Sequence, residues 1–124
     1  MNKTEKAPFD ALERVFHEPN RLAILSALCG TDEQLSYSQV KKICGLTDGN
    51  MNRHLTALQD EGVIRLTKAF VDLKPRTTIH ITQKGLDRFN EYLIALDEVL
   101  KSTRKRVPTE RRAGWLGSTR RAEA

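Results

Sequence analysis

The sequence predicts a mainly α-helical, α+β fold with one small β-hairpin, on three observations. Apolar residues recur at helical spacing in five separate stretches. One run, VIRLTKAFVDLKPRTTIHIT, is instead rich in β-branched residues and interrupted by a single turn-forming cluster. The last helical stretch is longer than a core of this size can cover. With 124 residues, of which 39% are hydrophobic and 30% charged, the chain suits one compact domain with a tail.

Taken in order, PFDALERVFHE places Phe9, Leu12 and Phe16 on one face of an amphipathic helix that Pro19 ends. NRLAILSALCG follows, with Asn20 as its N-cap and Gly30 as its stop. Its apolar body (Leu22, Ile24, Leu25, Leu28) is expected at the centre of the core. Leu35 suggests a short strand, and Ser36 can cap the next helix, YSQVKKIC, with Val40, Ile43 and Cys44 inward. Only Gly45 and Leu46 then separate it from Thr47, the cap of a helix over residues 48–61. There Met51, Leu55 and Leu58 recur at i, i+4 and i+7 to form a core stripe, and Gly62 ends the helix. Two short amphipathic helices around such a turn have the spacing of a helix-turn-helix. Strands are expected at 63–70 and 77–82, joined by a loop whose tip carries Lys74, Pro75 and Arg76. Thr82 can cap a final helix over 83–105, in which Leu86, Phe89, Leu93, Leu96 and Leu100 alternate spacings of three and four.

This order of elements is that of a winged helix-turn-helix with a long C-terminal dimerisation helix. Residues 1–105 are expected to form that domain and residues 106–124 a flexible basic tail, because VPTERRAGWLGSTRRAEA has Pro, Gly and Arg but no periodicity. From Lys101 onward eight basic residues face two acidic ones, a net +6, which leaves −1 for residues 1–100 of a total of +5. Global basicity is therefore a property of the tail, where it suits non-specific phosphate attraction. No stretch has the length and apolarity of a membrane span, and the N-terminal segment MNKTEKAPFD lacks the apolar core of a secretory signal, so a cytoplasmic protein is expected. Cys29 and Cys44 belong to no CxxC pair or zinc-spaced cluster and read as small buried apolar residues. GxSxG, Walker A, HExxH and GxGxxG are all absent, and no enzyme, metal site or cofactor is expected.

The helix at 48–61 carries the functional signal. A major groove roughly 12 Å wide admits one α-helix, whose N-terminal residues meet base edges. With the Met51 stripe inward, Gly49, Arg53 and Thr56 point away and Asn50 and Asn52 flank them. Asn pairs with adenine, Arg with guanine, and Thr offers a hydroxyl and a methyl; Gly49 lets backbone approach. Ser36 and Thr47, at helix N-termini, are candidate phosphate contacts, as are Lys74 and Arg76 of the hairpin. His54 lies beside the core stripe and reads as a packing residue.

At EPNRLAILSAL, SYSQVKKICGLTDGNMNRHLTALQDEGVI and KAFVDLKPRTTIHITQKGLDRF the sequence resembles the winged-helix transcriptional regulators of the MarR/ArsR type. The resemblance implies a homodimer that binds double-stranded DNA at an approximately palindromic operator, acting as a repressor. It also implies a dimer interface of Phe9, Leu12 and Phe16 with the Leu86, Phe89, Leu93, Leu96 and Leu100 stripe. Relatives often bind a small-molecule effector, but no residue here identifies one. The Cys-rich third-helix motif of metal-sensing relatives is missing, since that helix offers only Cys44. A winged-helix protein-interaction module, favoured by the slightly acidic residues 1–100, is the alternative reading.

Overall fold

The computed structural model describes residues 12–108. Its elements are α1 (Pro19–Cys29), β1 (Leu35–Ser36), α2 (Tyr37–Cys44), α3 (Asp48–Asp60), β2 (Ile64–Val71), β3 (Lys74–Ile81) and α4 (Gln83–Arg106). The strands form one antiparallel sheet in the order β1-β3-β2, with Leu35 opposite Ile79 and Ile64 opposite Ile81. The sheet and the four helices share a single core. Ile24 and Leu25 of α1, Val40 of α2, Met51 and Leu58 of α3, and Phe89 and Tyr92 of α4 meet in it with Val63, Ile64 and Ile79.

Three hydroxyl caps set the helix starts. Ser36, Thr47 and Thr82 are extended, and each accepts a hydrogen bond from the backbone N–H three residues on, worth about 1 kcal/mol apiece. At Ser36 the cap is reciprocal, because Gln39 Oε1 accepts from the Ser36 N–H at 2.8 Å. Between α2 and α3, Gly45 takes the left-handed conformation (φ 65°) that closes the turn.

The N-terminal segment departs from the amphipathic helix its spacing suggests. Its described part, residues 12–18, is a series of turns, and Phe9 lies outside the described residues. Two forces override the helical pattern. Pro19 drives Glu18 into extended backbone (φ −150°, ψ 128°). Phe16 is drawn wholly into the core, its ring 5.7 Å from Phe89 and 5.6 Å from Tyr92. Pro19 is thus the first residue of α1 rather than only a breaker, and the cap is Glu18, not Asn20: its carboxylate accepts from Arg21 N–H at 2.9 Å. Arg88 of α4 then clamps this segment, pairing with Glu13 at 2.7 Å and Glu61 at 2.9 Å while lying 5.5 Å over the Phe16 ring.

The hairpin is tighter and longer than expected. Val71 pairs with Lys74, so the turn is the two residues Asp72 and Leu73, both at positive φ (53° and 66°). Lys74, Pro75 and Arg76 therefore lie in β3, not at the tip. Pro75 is tolerated there because pairs along an antiparallel ladder alternate in hydrogen bonding. Counting from the closing Val71–Lys74 pair, Pro75 opposite Phe70 falls where no N–H is required of it. Cys29 is also a correction, since it is exposed at the end of α1, while Cys44 is half-buried; both are free thiols.

Candidate nucleic-acid interface

On α3 the inward stripe is Met51, His54, Leu55 and Leu58, all buried. Gly49, Asn52, Arg53 and Thr56 are exposed and Asn50 is half-buried. The hairpin borders the same side: Asn52, Thr56 and Gln59 of α3, Lys68 of β2 and Thr77 of β3 line one cleft of about 270 Å³. A second cleft, of about 440 Å³, opens between the start of α2 (Ser36, Tyr37, Ser38) and Lys74 and Arg76 of β3. Arg76 crosses it to donate to Gln39 Oε1 at 3.2 Å, so the hairpin is tied to the α2 cap. Thr47 is exposed beside α3, but Ser36 is only 7% exposed and its hydroxyl is committed to the Gln39 N–H at 3.1 Å. Ser36 thus serves as the cap, the role its place in the sequence favours over a phosphate contact.

Contacts between elements hold this surface in place. Tyr37 reaches from α2 to α3, its hydroxyl oxygen 3.1 Å from Asp48 Oδ1 and 3.3 Å from Asn52 Oδ1. Lys41 pairs with the same Asp48 oxygen at 2.8 Å. These hydrogen bonds, from Lys41 first and then Tyr37, hold the Asp48 carboxyl below its usual range. Sequence reading missed Tyr37 because neither periodicity nor spacing links α2 to α3. It also missed Lys68, which period-two alternation would have put on the same face as Ile64 and Leu66. The exposed apolar tip, with Phe70 at 78% and Leu73 at 95%, escaped as well.

His54, 2% exposed, packs as expected and has a polar environment of its own. Its Nε2 lies 3.4 Å from the Arg53 guanidinium and 3.5 Å from Asn20 Nδ2, and its Nδ1 faces Glu18 at 3.5 Å. Both neighbours of Nε2 only donate, so the neutral ring carries its proton on Nδ1. Burial pushes the imidazole below the ordinary histidine range; Glu18 pulls it upward, and Arg53 and Arg21 add to the depression. An unfolded chain holds this proton up to about pH 6.5 and the folded chain releases it earlier. The stabilisation is therefore complete above that pH and is lost as pH falls through it. We predict that the urea midpoint drops as the pH falls below about 6.5, and that His54→Gln flattens this slope. An unchanged slope in the variant would assign the acid sensitivity elsewhere.

The dimer stripe expected on the last helix is divided. Phe89 is 2% exposed and Leu96 packs on the core, while Leu86 (41%), Leu93 (41%) and Leu100 (49%) face outward with Ile94. Phe16, at 0%, and Phe89 have no surface left for a partner and are corrected to core residues; Leu12 is half-buried against the core. Among the described residues, no helix is long and apolar enough to cross a membrane. No His, Cys, Asp or Glu cluster among the described residues is placed to hold a metal ion.

Residues 20–100 match the family of winged helix DNA-binding domains. The chain belongs to that family. An uncharacterized protein of Methanocaldococcus jannaschii is 30% identical over 89 residues, covering 72% of this chain and 96% of its own. Among solved structures, a transcriptional regulator homologue from Pyrococcus horikoshii superposes with a TM-score of 0.69 at 27% identity, covering 77% of this chain and 94% of that one. A MarR family transcriptional regulator from Silicibacter pomeroyi gives a TM-score of 0.55 at 12% identity over 93% of this chain and 76% of its own. The last likeness is one of fold, and the winged helix chain has the MarR-type architecture. Family and fold place it among DNA-binding regulators of transcription, not among enzymes.

Proposed function

We propose that the protein is a homodimeric, sequence-specific regulator that binds an approximately palindromic duplex operator and represses by occluding it. The observation that carries the DNA reading is the shared cleft. The exposed polar face of α3 (Asn52, Thr56) and a cation of the hairpin (Lys68) border one recess, as a helix in the major groove flanked by a strand pair on the backbone requires. Arg53, exposed on α3, is assigned base readout, Gly49 and Thr47 close approach to the backbone, and Asn50 an edge contact. Lys74 and Arg76 are assigned to phosphates. The outward Leu86, Leu93 and Leu100 support the dimer. A twofold pair presents two recognition helices, so the half-sites should lie about 10 to 10.5 base pairs apart or a multiple of that.

Selection from random duplex DNA with the full chain tests this. An inverted repeat should be enriched, and Arg53→Ala should weaken specific binding by about 1 to 3 kcal/mol while relaxing one position of the motif. Replacing Lys74 and Arg76 together should weaken all sequences alike and reduce the salt slope by about 2. Salt-sensitive binding with no enriched sequence would leave only the cationic tail as the DNA contact and reject the operator reading.

A further inference from the structure

Tyr37 has one phenolic proton and three oxygens around it: Asp48 Oδ1 at 3.1 Å, the Asp48 carbonyl at 3.4 Å and Asn52 Oδ1 at 3.3 Å. Which oxygen receives the proton is decided by charge. Lys41 Nζ sits 2.8 Å from Asp48 Oδ1, and its hydrogen bond, followed by that of Tyr37, keeps the carboxyl ionised at neutral pH, so that it only accepts. The hydroxyl therefore donates to Asp48, where the bond is charge-assisted and shortest. Its oxygen then has only lone pairs to offer Asn52, and the oxygen end of the Asn52 amide would set lone pair against lone pair. A half-turn of the amide, which exchanges its two ends in nearly the same volume, brings the NH₂ to Tyr37 and leaves Oδ1 on the exposed side of α3.

We propose that Tyr37 is a specificity-determining residue of the interface: by accepting a hydrogen bond from Asn52, it fixes the amide with its oxygen toward the groove. So fixed, Asn52 selects a base with an exocyclic amino group, adenine or cytosine, which donates to that oxygen. Guanine and thymine present O6 or O4 acceptors to the same place and are rejected. Adenine gains further, because the second NH₂ proton remains free for its N7. Freed of the hydroxyl, the same side chain turns either end to the groove and loses the distinction. This inference rests on the DNA-reading role proposed for α3 and adds to it the class of base read and the residue that imposes the choice.

The test is a parallel selection from random duplexes with full-length wild type, Tyr37→Phe and Asn52→Ala. Tyr37→Phe keeps the ring and the Lys41–Asp48 pair and deletes only the hydroxyl. Wild type should show one motif position restricted to adenine or cytosine by about tenfold over guanine or thymine, and Asn52→Ala should erase it. Tyr37→Phe should reduce the preference at that position to less than about threefold, with the other positions unchanged. A wild-type preference for guanine or thymine at the Asn52 position would overturn the assigned amide orientation. Full discrimination retained in Tyr37→Phe, at a position that Asn52→Ala erases, would overturn the role of Tyr37 and leave the reading of α3 intact. If Asn52→Ala alters no position, or no motif is enriched at all, the DNA-reading assignment fails and this inference fails with it.

Discussion

Gly85→Ala is expected to be the most damaging single-methyl change in the molecule, costing at least about 3 kcal/mol of stability. Gly85 is the third residue of α4, where its N–H bonds the Thr82 cap at 2.9 Å. An added Cβ would fall inside the van der Waals envelope of the Val63 carbonyl oxygen, with the Val63 carbonyl carbon and Cα both at 2.8 Å. Neither side can yield. Val63 is fully buried, its N–H is bonded to the Leu58 carbonyl at 2.9 Å, and its carbonyl accepts from Thr82 N–H at 2.9 Å. The Thr82 hydroxyl meanwhile donates to the Gly62 carbonyl at 2.6 Å, so the end of α3, the entry to β2 and the start of α4 are one knot. Making room means lifting α4 off the sheet and with it Phe89 and Tyr92. Thermal melts should show a loss of roughly 10 to 20 °C for a domain of this size. Gly49→Ala is the control: Gly49 is helical, exposed and has nothing within 4 Å of its absent Cβ, so Ala there should stabilise by about 0.5 to 1 kcal/mol. Equal effects at the two glycines would show that helix propensity, not the Val63 contact, governs position 85.

The contrast between these glycines marks what a sequence can and cannot disclose. The face of α3 was legible because a 3.6-residue period separates Met51, Leu55 and Leu58 from Arg53 and Thr56 without reference to any other element. The caps at Ser36, Thr47 and Thr82 were legible for the same reason, since each acts only three residues ahead. What stayed hidden depends on a second element. The helical spacing of Leu12 and Phe16 is real, but the pull of Phe89 and Tyr92 on Phe16 decides the local structure. The two-residue tip was missed because Asp72-Leu73 lacks the Asn-Gly or Asp-Gly signature of a turn with two positive φ angles. Gly85 could be read as part of a motif, but its reason is a carbonyl 22 residues earlier in the chain. At the candidate interface, the outward residues were legible by type and position; the side chains they touch, Tyr37 for Asn52 and His54 for Arg53, were not.

Leu93→Glu combined with Leu100→Glu should abolish dimerisation and weaken operator binding at least about 100-fold, because each protomer would then hold one half-site without the other's effective concentration. Leu86, Leu93 and Leu100 recur every seven residues, which keeps them on one side of a helix of 24 residues, about 36 Å long. The adjoining face turns Gly85, Phe89, Tyr92 and Ala95 into the core, and no described residue after Ala95 is buried. The C-terminal third of α4 thus extends past its own domain with leucine uncovered. A second copy of the same stripe is the self-complementary cover that twofold symmetry supplies. The two glutamates put like charges on that seam beside Asp97, whose ion pair with Lys101 at 2.9 Å lies on the same outward face. Neither leucine belongs to the protomer's buried core, so the far-ultraviolet circular dichroism should be unchanged. Sedimentation equilibrium near 10 µM should read a dimer for wild type and a monomer for the variant. The wild-type melting temperature should rise with protein concentration, as for any dimer that dissociates on unfolding, and that of the variant should not. A variant that stays dimeric would move the interface off α4. A monomeric wild type that still selects an inverted repeat would mean that DNA itself assembles the pair, and the free leucines would then need another explanation.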